Sequence, residues 1–297
     1  MSGRPSSLRW GLAAVVAVAS ACAPEPAAQP TESPATTVVI ATTAPLTPSS
    51  STAAPSTAYP AVAGDAVGSW VPVVLARIPH DPEAFTEGLL VDGDVVWEST
   101  GLYGSSTVRR TDRHTGEVLA SEPLDRGLFG EGLELIGGNL IQLTWQEETA
   151  LVWDAASLVQ TGAFAYEGEG WGLCLLDDER LVMSDGSSTL WVRHPATFEV
   201  TGQIEVAREG HPVADLNELE CVDGLVFANV WRTNEIVVIG DDGAVVAVID
   251  ASALEEELFA SPNRDVLNGI AYDPATDTFL LTGKWWPTSF EVRFVER

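Results

Sequence analysis

Lys284 is the only lysine in a chain of 297 residues whose other fourteen Lys/Arg-type cations are all arginine, and it stands against two indoles in Lys284-Trp285-Trp286. A lone lysine in that setting marks a position suited to a compact ammonium rather than a planar guanidinium fork. The competing reading is a surface lysine snorkelling from a strand edge. Carboxylates, amides and aromatics recur at a set of segment openings: Phe85-Thr86-Glu87-Gly88, Phe129-Gly130-Glu131-Gly132, Gly170-Trp171-Gly172, Leu216-Asn217-Glu218 and Leu267-Asn268-Gly269. Leu143-Thr144-Trp145 and Asn229-Val230-Trp231 add two more indoles. Gathered in one place, these side chains make an aromatic-walled pocket with a few carboxylates, amides and one ammonium, the make-up of a small-molecule or peptide-terminus site. Each has a structural reading as well: Glu131 as a solvated strand-end carboxylate, Asn217 as a turn former, the tryptophans as packing. His80, His114, His194 and His211 share no ligand spacing, which argues against a zinc site.

The elements that must position these residues are short runs of Val, Ile, Leu, Trp and Thr, separated by Asp-Gly, Gly-Gly and Asp-Asp-Gly turns. Aligning Gly88, Gly132, Gly172, Glu218 and Gly269 gives spacings of 44, 40, 46 and 51 residues. Periods of this length with several strands each are the signature of propeller blades. The fold expected is all-β, a five-bladed β-propeller. Its last unit stops after Val295, so the strand around Val71 to Leu75 is expected to complete that blade and close the ring. A β-sandwich explains the hairpins but not the recurrent opening. In a propeller the first strand of every blade lines the channel, so openings far apart in sequence converge. One short helix is expected from Ala251 to Phe259, with Glu255, Glu256 and Glu257 on its wet face, and Trp97, Trp153 and Trp191 are assigned to the core.

Arg4 and Arg9 precede an apolar run from Trp10 to Ala21, too short to span a bilayer comfortably, which is the layout of an export signal. Residues 1–22 are read as a signal peptide. Ala19-Ser20-Ala21-Cys22 reads as a lipoprotein box with Cys22 lipidated, or as a plain A-x-A cleavage site that leaves a secreted protein. Residues 23–68, rich in Pro, Ala, Thr and Ser, cannot bury enough apolar surface to offset the entropy of ordering and are read as a disordered stalk. Residues 69–297 are then one domain, exported and displayed at the cell surface. A net charge of −28 repels phosphate backbones and anionic lipid, so no nucleic-acid partner is expected. In an exported protein, Cys174 and Cys221 are either a disulfide or two separately buried thiols.

Six ordered motifs carry a more specific message. Glu98-Ser99-Thr100-Gly101-Leu102-Tyr103-Gly104, Phe129-Gly130-Glu131-Gly132-Leu133, Gly170-Trp171-Gly172-Leu173, Leu216-Asn217-Glu218-Leu219-Glu220, Val266-Leu267-Asn268-Gly269-Ile270-Ala271 and Thr282-Gly283-Lys284 closely resemble the plant and bacterial type of glutaminyl-peptide cyclotransferase, the glutaminyl cyclases. The resemblance runs through all five units from Phe85 onward. It implies a five-bladed propeller that converts an N-terminal glutamine of a peptide or protein to pyroglutamate with release of ammonia, without catalytic zinc or other cofactor. The reaction needs the α-amine held against the γ-carboxamide and a group to carry a proton from the attacking amine to the departing ammonia. Glu131, between two glycines and within reach of indoles that would raise its pKa, suits that shuttle. The resemblance puts Asn217 and Lys284 at the oxygen where negative charge grows. Phe85, Phe129, Trp145, Trp171 and Trp231 would then wall the substrate. Glu87 stands where the family commonly has Gln. A carboxylate there is expected to pair with the substrate ammonium and slow attack at low pH, without touching the shuttle. The protein is expected to act as a monomer.

Two other functions fit the same openings. A metal-dependent propeller lactonase or esterase would gather Glu87, Asn217 and Asn268 around a calcium-like ion. A surface-anchored binding propeller would use the channel mouth without turnover.

Overall fold

The turn sequences reverse the chain with the backbone they demand. Ile136 pairs with Asn139 across Gly137 (φ 56°) and Gly138 (φ 84°), and Val222 pairs with Leu225 across Asp223 (φ 50°) and Gly224 (φ 80°). Positive φ at both central residues is the type I′ hairpin, whose twist matches that of the strands it joins. The computed structural model describes residues 58–62, 66–258 and 261–297. Among them, strands joined by such turns form three separate four-stranded antiparallel meanders over 86–123, 130–165 and 173–205. A fourth meander covers 216–250, and the fifth has three strands of its own over 267–296.

The strand Gly68–Pro79 contains the expected Val71 to Leu75 and pairs antiparallel with Thr288–Glu296, at the outer edge of the fifth meander. It does something further: Gly68, Ser69 and Trp70 run parallel to Ala247, Val248 and Ile249, which ties the fourth and fifth meanders into one eight-stranded sheet. A two-stranded ribbon, Ala207–Arg208 with His211–Pro212, lies between the third and fourth meanders.

The first strands of the meanders are Thr86–Asp92, Gly130–Ile136, Leu173–Asp177, Leu216–Val222 and Leu267–Asp273. Each packs against the next, and Thr86–Asp92 also packs against Leu267–Asp273, so the arrangement is propeller-like. The apolar clusters follow the same order. Trp97, Leu133, Leu140 and Trp153 fill the gap between the first two meanders; Leu143, Leu173 and Met183 the next; Cys174, Leu190, Leu219 and Val237 the next. Phe227, Ile249, Phe279 and Phe294 lie between the fourth and fifth, and Leu89, Val96, Ala271 and Leu280 between the fifth and the first. Each fully buried side chain of this size contributes roughly 1.5–3 kcal/mol.

Glycine at the aligned positions has a packing reason. A Cβ on Gly132 would lie 2.6 Å from the Trp171 carbonyl oxygen, and one on Gly172 would lie 2.1 Å from that of Asn217. The neighbouring backbone occupies the space a side chain would need. At the fourth position the pattern has Glu218 instead, and its carboxyl accepts the backbone N–H groups of Leu89 (3.2 Å) and Ile270 (2.7 Å), the residues just after the aligned Gly88 and Gly269. Glu218 thus ties three first strands together. Cys174 and Cys221 are joined in a disulfide between the first strands of the third and fourth meanders. Closing a loop of 47 residues this way stabilises the fold by about 4 kcal/mol in the chain-entropy account.

Three expectations need correction. The stalk boundary at residue 68 falls too late, because Ala58 and Tyr59 already belong to the folded unit. Tyr59 stacks on Trp70, meets Phe227 edge-on and donates to Asp223, while the Ala58 carbonyl accepts from the Phe294 N–H. A single aromatic in a Pro/Ala/Thr-rich stretch carries no periodicity from which docking could be read. The helix is confined to Ser252–Glu257; Glu256 and Glu257 are exposed on it, while Glu255 is partly covered and also contacts Asn234 and Arg264. Trp97 and Trp153 are core, but Trp191 is only half-buried and donates its indole N–H to Asp185. The expected signal peptide, Cys22 and the greater part of the stalk lie outside the described residues.

Candidate active site

The polar site residues taken from the openings, Glu87, Glu131 and Asn217, sit at irregularities of their first strands, whereas Phe85, Phe129 and Trp171 stand just before theirs. Pairing between the first and second strands shifts register between Thr86 and Gly88, between Gly130 and Leu133, between Leu216 and Leu219 and between Leu267 and Ile270. The residues inside these shifts are Glu87, Glu131, Asn217 with Glu218, and Asn268. A β-bulge releases one residue from strict alternation and re-aims its side chain. Here the bulges occur at equivalent places in four of the five meanders, the third being regular at its opening, and the re-aimed Glu87, Glu131 and Asn217 side chains face one space.

They meet at a cavity of about 340 Å³. Its lining contains all nine predicted site residues: Glu131, Asn217, Lys284, Phe85, Glu87, Phe129, Trp145, Trp171 and Trp231. The aromatic wall has two parts, bridged by Glu169. Phe85 meets Phe129 (6.2 Å between ring centres), Phe129 meets Trp145 (5.6 Å) and Trp171 meets Trp231 (5.5 Å), all edge-to-face, the arrangement ring quadrupoles favour. Glu169 holds two of these indoles in place by accepting from both Trp145 Nε1 (2.8 Å) and Trp171 Nε1 (3.0 Å).

The polar floor is almost dry: Glu87, Asn217, Glu131 and Lys284 are 2, 3, 5 and 6 % exposed. Lys284 Nζ lies 2.7 Å from Glu87 Oε1 and 4.6 Å from the centre of the Phe85 ring. Asn268 Nδ2 donates to Glu87 Oε2 (3.1 Å) and to the Thr86 carbonyl (3.0 Å). The Glu87 and Glu131 side chains share a hydrogen bond. Burial pushes Glu131 well above the carboxylate range, and the neighbouring Glu87 charge pushes it further, against the pull of Lys284. Of the two, Glu131 is the one pushed towards keeping its proton. Burial raises Glu87 as well, opposed by Lys284. Two adjacent carboxyls beside one ammonium hold a proton between them because like charges at contact cannot both ionise without cost.

Glu87 departs from expectation in two ways. Both its oxygens are engaged by Lys284 and Asn268, so it is not a free anion waiting for the substrate ammonium. It also touches the predicted shuttle directly. The contact joins the first strands of two different meanders across the hub, and no sequence spacing records it. Asn217 is the opposite case: among the described residues its side-chain amide has no hydrogen-bond partner, and its Oδ1 is fully buried. A buried amide left uncommitted is rare unless something outside the protein is meant to meet it.

Sequence reasoning missed three residues of the lining, Arg232, Asp265 and Val266. They directly follow Trp231 and directly precede Leu267-Asn268, so adjacency to recognised motifs was the available signal. Trp285 packs on Phe85 (4.7 Å) and lines a neighbouring cleft, whereas Trp286 is fully buried and donates to the Asp265 carbonyl.

The sequence model of the glutamine cyclotransferase family matches residues 16–294. The glutaminyl-peptide cyclotransferase of Arabidopsis thaliana is 43% identical over 225 residues, covering 74% of this chain and 70% of its own. The solved glutaminyl cyclase of Myxococcus xanthus has a TM-score of 0.73 with 36% identity and covers 78% of this chain and 100% of its own. With sequence and fold similar to these relatives along most of its length, the chain belongs to the glutamine cyclotransferase family.

Proposed function

We propose that this chain is a glutaminyl-peptide cyclotransferase that closes the N-terminal glutamine of peptides or proteins to pyroglutamate and releases ammonia, without a metal ion, on a closed five-bladed propeller whose last blade is completed by the strand Gly68–Pro79. The observation that carries the reading is the meeting of Glu131, Glu87, Lys284 and Asn217 on the floor of one aromatic-walled cavity.

The aromatic wall curls the glutaminyl side chain so that its α-nitrogen faces its own Cδ. As the nitrogen–Cδ bond forms, negative charge grows on the γ-oxygen, and the Asn217 amide and the Lys284 ammonium are the donors within the cavity that stabilise it. The amine proton passes to the Glu131/Glu87 pair, and Glu131 delivers a proton to the departing nitrogen as the Cδ–nitrogen bond breaks. Ammonia leaves, the ring nitrogen keeps one hydrogen, and the pair returns to its starting state. A pair that shares one proton presents a donor and an acceptor side by side, which suits both halves of the transfer. Glu131 is the shuttle; Glu87 sets its protonation and holds Lys284.

A metal ion placed as a lactonase would need it must displace Lys284 from Glu87, because that carboxylate is already bound by the ammonium. The reading also places the unit outside the cell as a monomer, carried by a signal peptide and lipid-anchored through Cys22. The Cys174–Cys221 disulfide supports the oxidising compartment.

Mass spectrometry of a Gln-initiated dipeptide incubated with the protein tests the activity, with loss of ammonia as the expected result. Turnover should persist in the presence of a chelator. A protein that binds the dipeptide and leaves it intact would be a binding module.

A further inference from the structure

The cavity that holds the glutamine must let the rest of the peptide out, and a second cleft of about 220 Å³ shares Arg232, Asp265 and Val266 with it. The cleft runs toward the segment that joins the fourth and fifth meanders, where Asn234, Glu255 and Arg264 line it. Its charges are mostly spent internally. Glu255 accepts from Asn234 (2.7 Å) and lies 3.6 Å from Arg264, and Asp265 accepts from the Val266 N–H (2.8 Å).

Arg232 is different. It is exposed at the junction of cavity and cleft, its guanidinium lies 4.0 Å from the centre of the Trp231 ring, and among the described residues no carboxylate lies within ion-pair distance of it. Its backbone is left-handed (φ 64°), in a turn closed by Thr233 donating from N–H and hydroxyl to the Val230 carbonyl. In a chain of net charge −28, Arg232 shares this mouth with Asp265 yet forms no ion pair among the described residues, which leaves its guanidinium open to an incoming group. On the cavity floor Glu87 is already paired with Lys284, whereas the rim carries this guanidinium, so the mouth offers a cation to whatever part of the peptide leaves the cavity.

We propose that this cleft is the subsite for the residue that follows the glutamine, and that Arg232 gives the enzyme a preference for a carboxylate there, from an acidic side chain or from the C-terminus of a dipeptide. The inference rests on the cyclase reading of the neighbouring cavity. Stacking on Trp231 orders the guanidinium in advance, and a planar fork facing a carboxylate binds it through two N–H groups.

The test compares kcat/KM for Gln-Glu amide, Gln-Ala amide, Gln-Lys amide and free-acid Gln-Ala at low salt. The wild type should favour Gln-Glu amide over Gln-Lys amide by about fivefold, the range expected of an exposed ion pair, and 0.5 M salt should erase the preference. Arg232→Gln should bring the ratio close to one, and Arg232→Glu should invert it, with unfolding followed on each variant to confirm the fold. A gain for the free acid alone assigns the contact to the chain terminus, and a gain for Gln-Glu amide assigns it to the side chain; either supports the subsite. Equal rates on the three amides and on the free acid, or a ratio that Arg232→Gln leaves unchanged, overturns it while the cyclase reading stands. No turnover of Gln-Ala amide by the wild type overturns the cyclase reading and takes the subsite with it.

Discussion

Two buried glutamates one strand apart have opposite surroundings. Thr86 and Glu87 are sequence neighbours, and the Thr86 hydroxyl donates to Glu98 (2.6 Å) on one side while Glu87 turns to Lys284 on the other. Glu98 also meets His80 Nε2 (3.0 Å) and Arg109 Nε (2.8 Å), and Arg109 is held in turn by Asp81 (2.8 Å). Burial alone would raise Glu98, but His80 and Arg109 together overcome it and bring it down to about 2. At Glu87 and Glu131 burial meets one ammonium for two carboxyls, and both move up. Equal burial therefore yields a fixed anion where cations and donors are in excess, and a movable proton where they are short. The first arrangement holds the entry of the chain into its first meander; the second is fit for chemistry.

Removing the movable proton should have the largest effect. Glu131→Gln keeps shape and neutrality but cannot shuttle, so turnover should fall by about 10³-fold or more, with thermal unfolding little changed. Retained turnover, read as ammonia release, would take Glu131 out of the role. Glu98→Ala should reverse the pattern, leaving the His80 and Arg109 charges buried without their shared partner and costing about 3–5 kcal/mol in urea unfolding, while kcat of the protein that remains folded changes by a small factor. A large fall in kcat there would show that the two glutamates do not divide the work. Lys284→Ala should lower kcat by about 10²-fold; an effect confined to KM would make Lys284 a substrate holder.

Glu87→Gln sharpens the contrast at smaller amplitude. Burial of Glu131 stays, but its charged neighbour is gone, so its pKa falls, and the pH–rate profile should move toward acid by about one unit. An unmoved profile would mean that Glu87 does not set the protonation of the shuttle.

The smallest effect is on stability against pH. Glu134, whose carboxyl accepts the N–H groups of Leu135 and Leu175, is pushed by burial up to about 7, and burial also raises Glu218 and Glu220. A carboxyl raised in the folded state contributes stability that is full below its unfolded pKa and is lost as pH climbs through the folded one. Glu98, lowered, has the opposite sign and loses its contribution only as pH falls toward 2. Tm should therefore fall by a few degrees between pH 5 and pH 8, and Glu134→Gln should flatten that slope.

The recurring openings and their glycines made the meanders legible, because close approach of neighbouring backbones leaves room for nothing larger at Gly132 and Gly172. The site residues were legible for a related reason. Most ride on the same openings, and bulges at equivalent positions turn Glu87, Glu131 and Asn217 to one side. Tyr59 was not legible, since one aromatic in a Pro/Ala/Thr-rich stretch has no period. The Glu87–Glu131 contact and the unpaired state of Arg232 were hidden for a different reason: each depends on which side chains from other meanders come near.

The chain alone determined which chemical groups are present, their spacing, the turn geometry and the excess of acid over base, because these follow from residue type and local backbone preference. Tertiary structure alone decided which acids keep their protons, which cations are left without partners and which way the cavity opens. Those depend on distance and on exclusion of water, and both are set only when strands more than a hundred residues apart come to share one hub.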